Sequence, residues 1–332
     1  NHMEGFFVYN RPEEVLEKYE LEVHTVARGR ESYICDTDHG RKLLKEYRGS
    51  VERAAFLREI LFCLQDGGIC VETVNLTKEE LPVAVMEDGT KYILYDMWEG
   101  TECDTKRREE MIAAVELLAK LHNVSSGYQG EVPDFVRTDE NALLFLYERH
   151  NRELNKVRNY IRAKKKKNEF EMLFAGKYEY YMKKARLVTE ELRSIQPKPE
   201  MTGFCHGDYN QHNVIFSGRE TAVVRFESLA WQIRVSDLAN FLRKMMEKHN
   251  WNTGLGMDFI RAYDRVRRLS AEELRYLYLY MAYPEKFWKI ANHYYNARKV
   301  WISGRNIEKL EKFISQEKER EQFLEMLFHF TS

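Results

Sequence analysis

The sequence predicts an α+β chain with two lobes, a small lobe built on an antiparallel sheet and a large lobe that is mostly helical. The first ~100 residues hold most of the strand-like patterns, whereas the chain after residue 105 has helical periodicity almost throughout. A single β-like island, covering 213–216 and 221–226, interrupts the helices. We therefore expect a small lobe at 4–98 and a large lobe at 99–332, with the crossing near 96–100.

The small lobe is expected to contain three strands, one main helix and two further strands. Alternation of apolar and polar residues indicates the first two strands, and a turn at Asp38-His39-Gly40 leads into the third. Ser50 stands where an N-cap belongs, and apolar residues recur at helical spacing from Val51 to Leu64. The expected strands are 22–26, 32–35, 42–47, 71–76 and 91–97.

The large lobe is expected to be built from amphipathic helices. Arg107–His122 carries apolar residues at three-and-four spacing, and two longer segments, 142–161 and 169–195, are charged and rich in tyrosine. Helical patterns resume at Asp237 and continue to the end. Strands followed by a run of helices are typical of an α+β fold.

Charge and composition exclude several classes of function. Among 332 residues, 52 are Lys or Arg and 53 are Asp or Glu, so no overall field attracts nucleic acid or a membrane surface. No apolar run approaches the ~20 residues of a membrane span, and no signal peptide follows Asn1-His2-Met3, which is typical of an expression-tag remnant. Five cysteines without a CxxC pair favour synthesis in a reduced cytoplasm.

The segment Phe204–Asn213 is the most informative one for chemistry. It contains His206-Gly207-Asp208, followed by Asn213 immediately before the β-like island. Phosphoryl transfer needs a carboxylate that orients a hydroxyl and accepts its proton, and an amide oxygen that binds a divalent cation beside the nucleotide phosphates. Asp208 and Asn213 are candidates for these two roles. The same residue types are also common in ordinary loops.

Two residues of the small lobe strengthen the phosphoryl-transfer interpretation. Lys45 lies on the third predicted strand, and Glu59 lies on the helix that follows. A lysine that binds nucleotide phosphates and is aligned by a helical glutamate requires this order of elements. Glu52, on the same helix, competes with Glu59 as the partner of the lysine.

With these residues in place, the chain resembles the aminoglycoside phosphotransferase and choline kinase superfamily, which has a two-lobed protein kinase-like fold. Within that superfamily it resembles the CotS-like spore coat proteins. The broader resemblance rests on Leu118–His122, His206–Asn213 and Ser236–Ala239. The narrower resemblance rests on longer and more unusual segments: Arg243–Lys248, Tyr283–Lys289, Tyr294–Asn296 and Lys299–Trp301.

The resemblance implies roles for individual residues. Asp208 matches the catalytic aspartate, Asn213 matches the metal-binding asparagine, and Lys45 matches the lysine that binds the phosphates. Glu59 matches the helical partner of that lysine better than Glu52 does. The implied ligands of an active enzyme are ATP and Mg²⁺, neither of them tightly bound.

The resemblance also implies supporting residues. Tyr95–Trp98, in particular Tyr95 and Met97, match the hinge whose backbone pairs with adenine. His206 and Asp237 match residues that support the catalytic loop structurally.

One position departs from the family pattern. The family places its second metal ligand in an Ile-Asp-Phe-(Asp/Glu) strand end, where this chain has Val224-Arg225-Phe226-Glu227. A carboxylate attracts the cation, whereas a guanidinium is always protonated and repels it. Three interpretations follow: metal-dependent transfer is lost, Glu227 supplies the missing carboxylate, or Arg225 itself pairs with the nucleotide phosphates.

Two hypotheses about function therefore remain. In the first, the chain is a kinase-like spore coat protein, impaired in metal-dependent transfer, whose partners are other coat proteins. In the second, it is an ATP-dependent phosphotransferase that acts on a small hydroxylated or amino-sugar-like acceptor through Asp208, Asn213 and Glu227. Arg225 favours the first hypothesis or an unusual metal site. Neither hypothesis involves nucleic acid or a membrane.

Overall fold

The computed structural model describes residues 11–297 and 304–331. Two features of the sequence lie outside these residues, the expression-tag remnant at 1–3 and the segment Lys299–Trp301. The chain forms two compact units. The first comprises the chain up to Val136 together with His206–Leu229, and the second comprises Arg137–Cys205 together with Ala230–Ser332.

Strands come first and helices dominate later, which confirms the predicted α+β class. The strands in chain order are β1 (Val23–Arg28), β2 (Tyr33–Thr37), β3 (Gly40–Tyr47), β4 (Cys70–Val71), β5 (Ala84–Val85), β6 (Lys91–Asp96), β7 (Thr101–Glu102), β8 (Thr202–Cys205), β9 (Val214–Ser217), β10 (Glu220–Val223) and β11 (Ala230–Ile233). The helices are α1 (Arg11–Leu16), α2 (Val51–Asp66), α3 (Arg108–Ser125), α4 (Ala142–Arg162), α5 (Glu169–Ser194), α6 (Val235–Lys248), α7 (Thr253–Val266), α8 (Ala271–Ala282), α9 (Glu285–Asn296), α10 (Arg305–Ser315) and α11 (Glu317–Thr331). Short 3₁₀ turns lie at Asp134–Val136, Pro199–Met201, Gln211–Asn213 and Phe226–Ser228.

The first unit is built on a five-stranded antiparallel sheet in the order β1-β2-β3-β6-β5. Successive residues of a strand point to opposite faces. On β3, Leu44 is therefore buried in a core with Leu94 of β6 and with Val15 and Leu16 of α1. Lys45, the next residue, points to the other face, where Ile93 stands opposite it. The strand register alone thus turns Lys45 away from the core.

Helix α2 follows β3 as predicted, and its sequence explains both of its ends. The Ser50 side chain accepts the N–H of Arg53 at 3.1 Å, which caps the first turn. At the other end, the N–H of Gly67 donates to the carbonyl of Cys63, and the helix ends at Asp66. The buried face carries residues at three-and-four spacing: Ala54, Leu57, Ile60, Leu61 and Leu64.

A second sheet of the first unit, in the order β4-β10-β9-β7, contains the strand that follows directly on Asp208 and Asn213. β10 pairs antiparallel with β9 and parallel with β4, with Val223 opposite Val71. Because parallel strands end on the same side, Glu72 and Arg225, which follow these two residues closely, leave the sheet next to each other. The predicted β-like island is confirmed as β9 and β10.

The predicted strand at 71–76 is wrong as a single element. Only its first residue, Val71, belongs to β4, which pairs with β10. Val74 instead forms a bridge to Tyr95 of β6, and the N–H of Asn75 donates to Leu94 O at 2.8 Å. The segment passes from one sheet to the other, so its alternating pattern serves two different partners.

The second unit contains α4–α11 and the antiparallel pair β8–β11. The predicted helices at 142–161 and 169–195 are confirmed as α4 and α5. At the start of α5, Asn168 and Glu171 each bind the backbone N–H of the other, forming a capping box. Aromatic rings fill the interior: Phe174 stacks on Phe287 with 5.0 Å between ring centroids, and Tyr147 stacks on Tyr283 at 3.8 Å.

Two further observations concern organisation. In the described part of the chain, none of the helices combines the length and the apolarity that a membrane crossing demands. The predicted boundary near residue 98 stays a prediction. The compact units divide the chain elsewhere, because α3 and the segment His206–Leu229 belong to the same unit as the N-terminal sheets.

The first testable prediction concerns Gly207, which has φ +86° and whose added Cβ would lie 2.0 Å from the carbonyl oxygen of Ser228. Gly207→Ala should lower the free energy of unfolding by more than about 3 kcal/mol, since it combines backbone strain with a clash against backbone. Urea unfolding measures this loss. Gly218→Ala is the matched control, because φ there is +62° but no atom lies within 4 Å of the new Cβ. The control should lose only about 1–2 kcal/mol. Equal losses would contradict the role assigned to the Ser228 contact.

Candidate functional site

A cleft of about 940 Å³ opens in the first unit. Its volume is in the range of small-molecule and cofactor sites, which run from roughly 300 to 1,000 Å³. Five residues predicted from the sequence line it: Lys45, Met97, Asp208, Arg225 and Glu227. The turn between β1 and β2 supplies further lining residues, among them Arg30 and Ser32.

The loop that carries Asp208 is held by its own neighbours. The N–H of Asp208 donates to Nδ1 of His206 at 3.1 Å, and Nε2 of His206 lies 2.8 Å from the carbonyl oxygen of Val224. Since Nδ1 accepts, Nε2 carries the proton and donates, which is the arrangement that a structural role for His206 requires. The hydroxyl of Tyr209 donates to Ala114 O on α3 at 2.7 Å and anchors the loop to that helix.

Asn213 is oriented by the backbone of Asp208. Its Nδ2 donates to Asp208 O at 2.8 Å, so its side-chain oxygen points the other way. The Asp208 carboxylate accepts a hydrogen bond from Nδ2 of Asn210 at 3.1 Å. Asn213 is only 3% exposed, so its amide oxygen is a fixed acceptor inside the site. That oxygen is the atom predicted to bind the metal.

Arg225 occupies the direction in which this oxygen points. Its Nη1 lies 2.9 Å from Asn213 Oδ1 and 2.6 Å from His212 O. Arg225 also has φ 63° and ψ 62°, a left-handed conformation that costs a non-glycine residue about 1–2 kcal/mol. The amide oxygen predicted to bind a cation therefore accepts from a guanidinium, which always carries its charge.

Lys45 pairs with Glu227. The Lys45 Nζ lies 2.9 Å from Glu227 Oε1 and 5.5 Å from the centre of the Tyr95 ring. The Glu227 side chain is 37% exposed, so this carboxylate is accessible from the cleft. Lys45 and Glu227, which are far apart in sequence, thus form one ion pair at the centre of the site.

The predicted pairing of Lys45 with Glu59 is wrong. Glu59 is exposed and accepts a hydrogen bond from the Tyr128 hydroxyl at 2.6 Å. Helical periodicity explains the difference, because Ile60 lies on the buried face of α2 and Glu59, one residue earlier, points away from it. The competing residue Glu52 is exposed as well.

A carboxylate that sequence reasoning missed takes a central place. Glu72 is 3% exposed, and its Oε1 accepts the N–H of Arg225 at 2.7 Å and that of Phe226 at 3.3 Å. The pKa of Glu72 is raised to about 7, chiefly by burial and also by the nearby Glu227 charge, while Lys45 and the two backbone N–H groups oppose the rise. Its sequence signal is an acidic residue within the apolar segment that is predicted as the strand 71–76.

The predicted hinge is only partly directed at the cleft. Met97 and Trp98 line it, whereas the Tyr95 side chain is fully buried and its hydroxyl has no hydrogen-bond partner among the described residues. Burial raises the pKa of Tyr95 well above its ordinary value. The N–H of Met97 donates to Arg41 O at 3.0 Å, which extends the pairing of β3 with β6. Pairing of this backbone with adenine stays a prediction.

Asp237 belongs to the second unit. It lies in the first turn of α6 and is 2% exposed. Acidic residues in a first turn interact favourably with the helix dipole. Its support of the catalytic loop stays a prediction.

Comparison with known proteins gives this site its family context. The model of the family described as "Spore coat putative kinase YutH" matches residues 13–327. The chain belongs to this family. Asp208, Asn213 and Arg225 all lie inside the matched region.

Individual proteins agree with this assignment. The chain is 26% identical to spore coat protein S of Bacillus subtilis (strain 168), across 95% of this chain and 93% of that protein. It superimposes with a TM-score of 0.82 on an aminoglycoside phosphotransferase from Alicyclobacillus acidocaldarius, at 19% identity and 96% coverage of each chain. With choline kinase from Streptococcus pneumoniae the TM-score is 0.52, at 14% identity, covering 95% of this chain and 99% of that one. These likenesses confirm the predicted kinase-like fold, and the family match confirms the predicted spore coat family.

The second testable prediction follows from the burial of Glu72. Its pKa rises from 4.5 to about 7 on folding, so between these values the native state binds the extra proton. Stability conferred by that proton is lost as the pH rises through this window. Wild-type protein should therefore lose on the order of 3 kcal/mol of unfolding free energy relative to Glu72→Gln between pH 4.5 and pH 7. Denaturant unfolding of both proteins across this range measures the difference, and parallel curves would contradict it.

Proposed function

We propose that this chain is a kinase-fold protein of the spore coat that binds a nucleotide in its cleft and is impaired in metal-dependent phosphoryl transfer. One observation carries the proposal: Arg225 Nη1 donates to Asn213 Oδ1 at 2.9 Å. In the pattern that the family implies, this amide oxygen and an aspartate at position 225 hold Mg²⁺. Here the aspartate is absent and the amide oxygen is engaged by a cationic side chain.

Charge considerations support retention of nucleotide binding. An aspartate with bound Mg²⁺ contributes −1 and +2, a sum of +1, which equals the charge of one guanidinium. Arg225 therefore supplies the same formal charge near the nucleotide phosphates without an ion. Lys45 lies in the same cleft and can exchange its partner Glu227 for a phosphate group. A site with these two cations is suited to a polyphosphate.

Transfer chemistry needs more than charge. In the family pattern, Asn213 and an aspartate at position 225 would hold Mg²⁺, and the ion would neutralise the charge that develops on the phosphate oxygens during transfer. A guanidinium donates hydrogen bonds to oxygen atoms in one plane, but it cannot coordinate oxygen ligands around itself as a metal ion does. Replacement of the ion by Arg225 therefore supports binding of the ground state more than stabilisation of the transition state. The coat location of the relatives agrees with a protein kept for binding or assembly.

A second candidate function is an active phosphotransferase with a small hydroxylated acceptor. It is favoured by Asp208, which lines the cleft where a hydroxyl could approach, and by the accessible carboxylate of Glu227. With Lys45 engaged by a phosphate group, Glu227 would be the carboxylate available to hold Mg²⁺, which would supply the charge stabilisation that transfer needs. The two candidates differ in one measurable property, the dependence of nucleotide binding on magnesium.

The third testable prediction is that ATP and ADP stabilise the chain to the same extent with magnesium and with a chelator. A ligand at a hundred times its dissociation constant adds about 2.7 kcal/mol to the stability of the native state, which a thermal-shift titration detects. Lys45→Met should abolish most of the shift because it removes a phosphate contact. Lys78→Met, which changes an exposed lysine that does not line the cleft, is the control. A shift that requires magnesium would favour the active phosphotransferase, and no shift with any nucleotide would overturn nucleotide binding.

The fourth testable prediction is that Arg225→Asp creates magnesium dependence. The substitution frees Asn213 Oδ1 and restores a carboxylate, so nucleotide binding should become at least tenfold tighter with magnesium than without it. Arg48→Asp is the matched control, because Arg48 also lines the cleft but its side chain is 92% exposed and contacts Glu46. Isothermal titration in both conditions gives the ratio. If the two variants behave alike, the effect reflects overall charge, and the assignment of position 225 to the metal site is wrong.

A further inference from the structure

The Glu72 carboxylate fills an anion-binding hollow made by two consecutive backbone N–H groups. Arg225 and Phe226 both donate to its Oε1, at 2.7 and 3.3 Å. Consecutive N–H groups converge in this way when neighbouring residues adopt left-handed and right-handed helical conformations, and such hollows bind anions. Arg225 is left-handed and begins a 3₁₀ turn at Phe226. The anion that occupies the hollow is a side chain of the chain itself.

The strand pairing explains why a carboxylate stands at this point. Val71 and Val223 are opposite each other in the parallel pair of β4 and β10, and both strands end there. Glu72 is the next residue of one strand, and the turn at Arg225 begins two residues beyond the other. Phe226 is fully buried, so its N–H has no access to solvent and needs an acceptor. Glu72 provides that acceptor.

The conformation of this turn also sets the direction of the Arg225 side chain. With φ at 63°, the Arg225 backbone directs the guanidinium to Asn213 Oδ1 and His212 O. An arginine prefers right-handed or extended backbone, so without a partner for its N–H the turn is free to relax to another conformation. The side chain would then leave Asn213. Glu72 therefore acts on the guanidinium through the backbone of Arg225, whose N–H it accepts.

The same carboxylate also influences Lys45. The ammonium group of Lys45 opposes the rise in the pKa of Glu72, while the Glu227 carboxylate adds to it. Glu72 and Glu227 therefore both lie within electrostatic reach of the one ammonium group. Above the pKa of Glu72, which is about 7, Lys45 can give up Glu227 to a phosphate and still remain near a buried negative charge.

We propose that Glu72 is a positioning residue of the nucleotide cleft, which holds the Arg225–Phe226 backbone so that the Arg225 guanidinium stays where a metal ion would bind. The consequence of this inference for nucleotide binding rests on the proposed function. Its structural part, the control of the turn by Glu72, does not depend on that function. The experiment therefore measures the two parts separately.

The structural part is tested by hydrogen exchange of the Arg225 and Phe226 amides, read by NMR in the free protein. Glu72→Leu removes the acceptor, and exchange of these two amides should become about tenfold to a hundredfold faster, the range expected for loss of a hydrogen bond to a charged group. Glu72→Gln keeps an acceptor oxygen and should restore most of the protection. Glu72→Asp, which is shorter by one methylene group, serves where the leucine variant does not fold, and it should give an intermediate rate.

A matched control separates positioning from general destabilisation. Glu171 is also fully buried and its carboxylate also accepts a backbone N–H, that of Asn168, but it belongs to the second unit. Glu171→Leu should lower global stability without selectively exposing the amides of Arg225 and Phe226. Equal acceleration of these amides in the Glu72 and Glu171 variants, or no acceleration in Glu72→Leu, would overturn the role of Glu72.

The functional part is tested by nucleotide affinity in a double-mutant cycle. Glu72→Leu and Arg225→Ala should each weaken ADP binding about tenfold, and the double variant should bind no more weakly than Arg225→Ala alone, because both changes remove the same guanidinium. Additive losses would mean that Glu72 does not act through Arg225. If wild-type protein fails to bind ADP, the proposed function fails, while the exchange rates still decide whether Glu72 holds the turn.

Discussion

A buried carboxylate needs hydrogen bonds or nearby cations to offset its loss of hydration, and the contacts around Glu72 in the cleft follow from that need. Without hydrogen bonds or nearby cations, transfer of such a group out of water is so unfavourable that it would stay protonated. Two backbone N–H groups and the Lys45 ammonium provide part of the compensation here, and the pKa of Glu72 is still raised to about 7. By accepting these N–H groups, Glu72 fixes the turn that carries Arg225, and Arg225 in turn engages Asn213. The position of the guanidinium therefore depends on a residue whose side chain does not touch it.

This arrangement shows what the arginine does at position 225, where the family pattern has an aspartate. An arginine introduced at a metal site could point into solvent and leave the amide ligand free. Here the left-handed backbone, the hydrogen bond to Asn213 and the bond to His212 O all hold the guanidinium inside the site. Conformational strain at a residue persists only where the surroundings impose it. The strain at Arg225 thus indicates that the cation at this point is fixed by the fold.

The sequence predicted the elements well where periodicity and caps agree. Helix α2, with its Ser50 cap, and the long helices α4 and α5 came from local patterns, which act over one or two turns. The strand at 71–76 failed because half of it pairs with β10 and half with β6, and pairing over long separations leaves no local mark. The residue types of Phe204–Asn213 indicate the phosphoryl-transfer segment, and the family resemblance adds the roles of its residues and the departure at Arg225.

The residues of the site were easier to predict from the sequence than the contacts between their charged groups. Lys45 and Glu227 were both named from the sequence, but their ion pair joins residues 182 positions apart, and no spacing rule reaches that far. As a helical glutamate, Glu59 fits the family order as the partner of Lys45. The direction in which its side chain points, however, is set by which face of α2 packs on the core. Glu72 lies inside the strand predicted at 71–76, where the sequence gives no reason to expect an acidic side chain to be anything but solvated. Only the parallel register of β4 and β10 shows that it is enclosed.

The pairing of Lys45 with Glu227 has a consequence for how a ligand enters. In the free protein these two side chains neutralise each other, and the Glu227 carboxylate remains 37% exposed. A phosphate group that binds Lys45 must displace Glu227, and the displaced carboxylate repels the phosphate unless a cation lies nearby. Arg225 is two residues away on the same turn and is fixed by its own hydrogen bonds. A permanent cation at that position therefore offsets the repulsion that magnesium would otherwise have to offset, and this is the physical reason to expect nucleotide binding to persist in the absence of the ion.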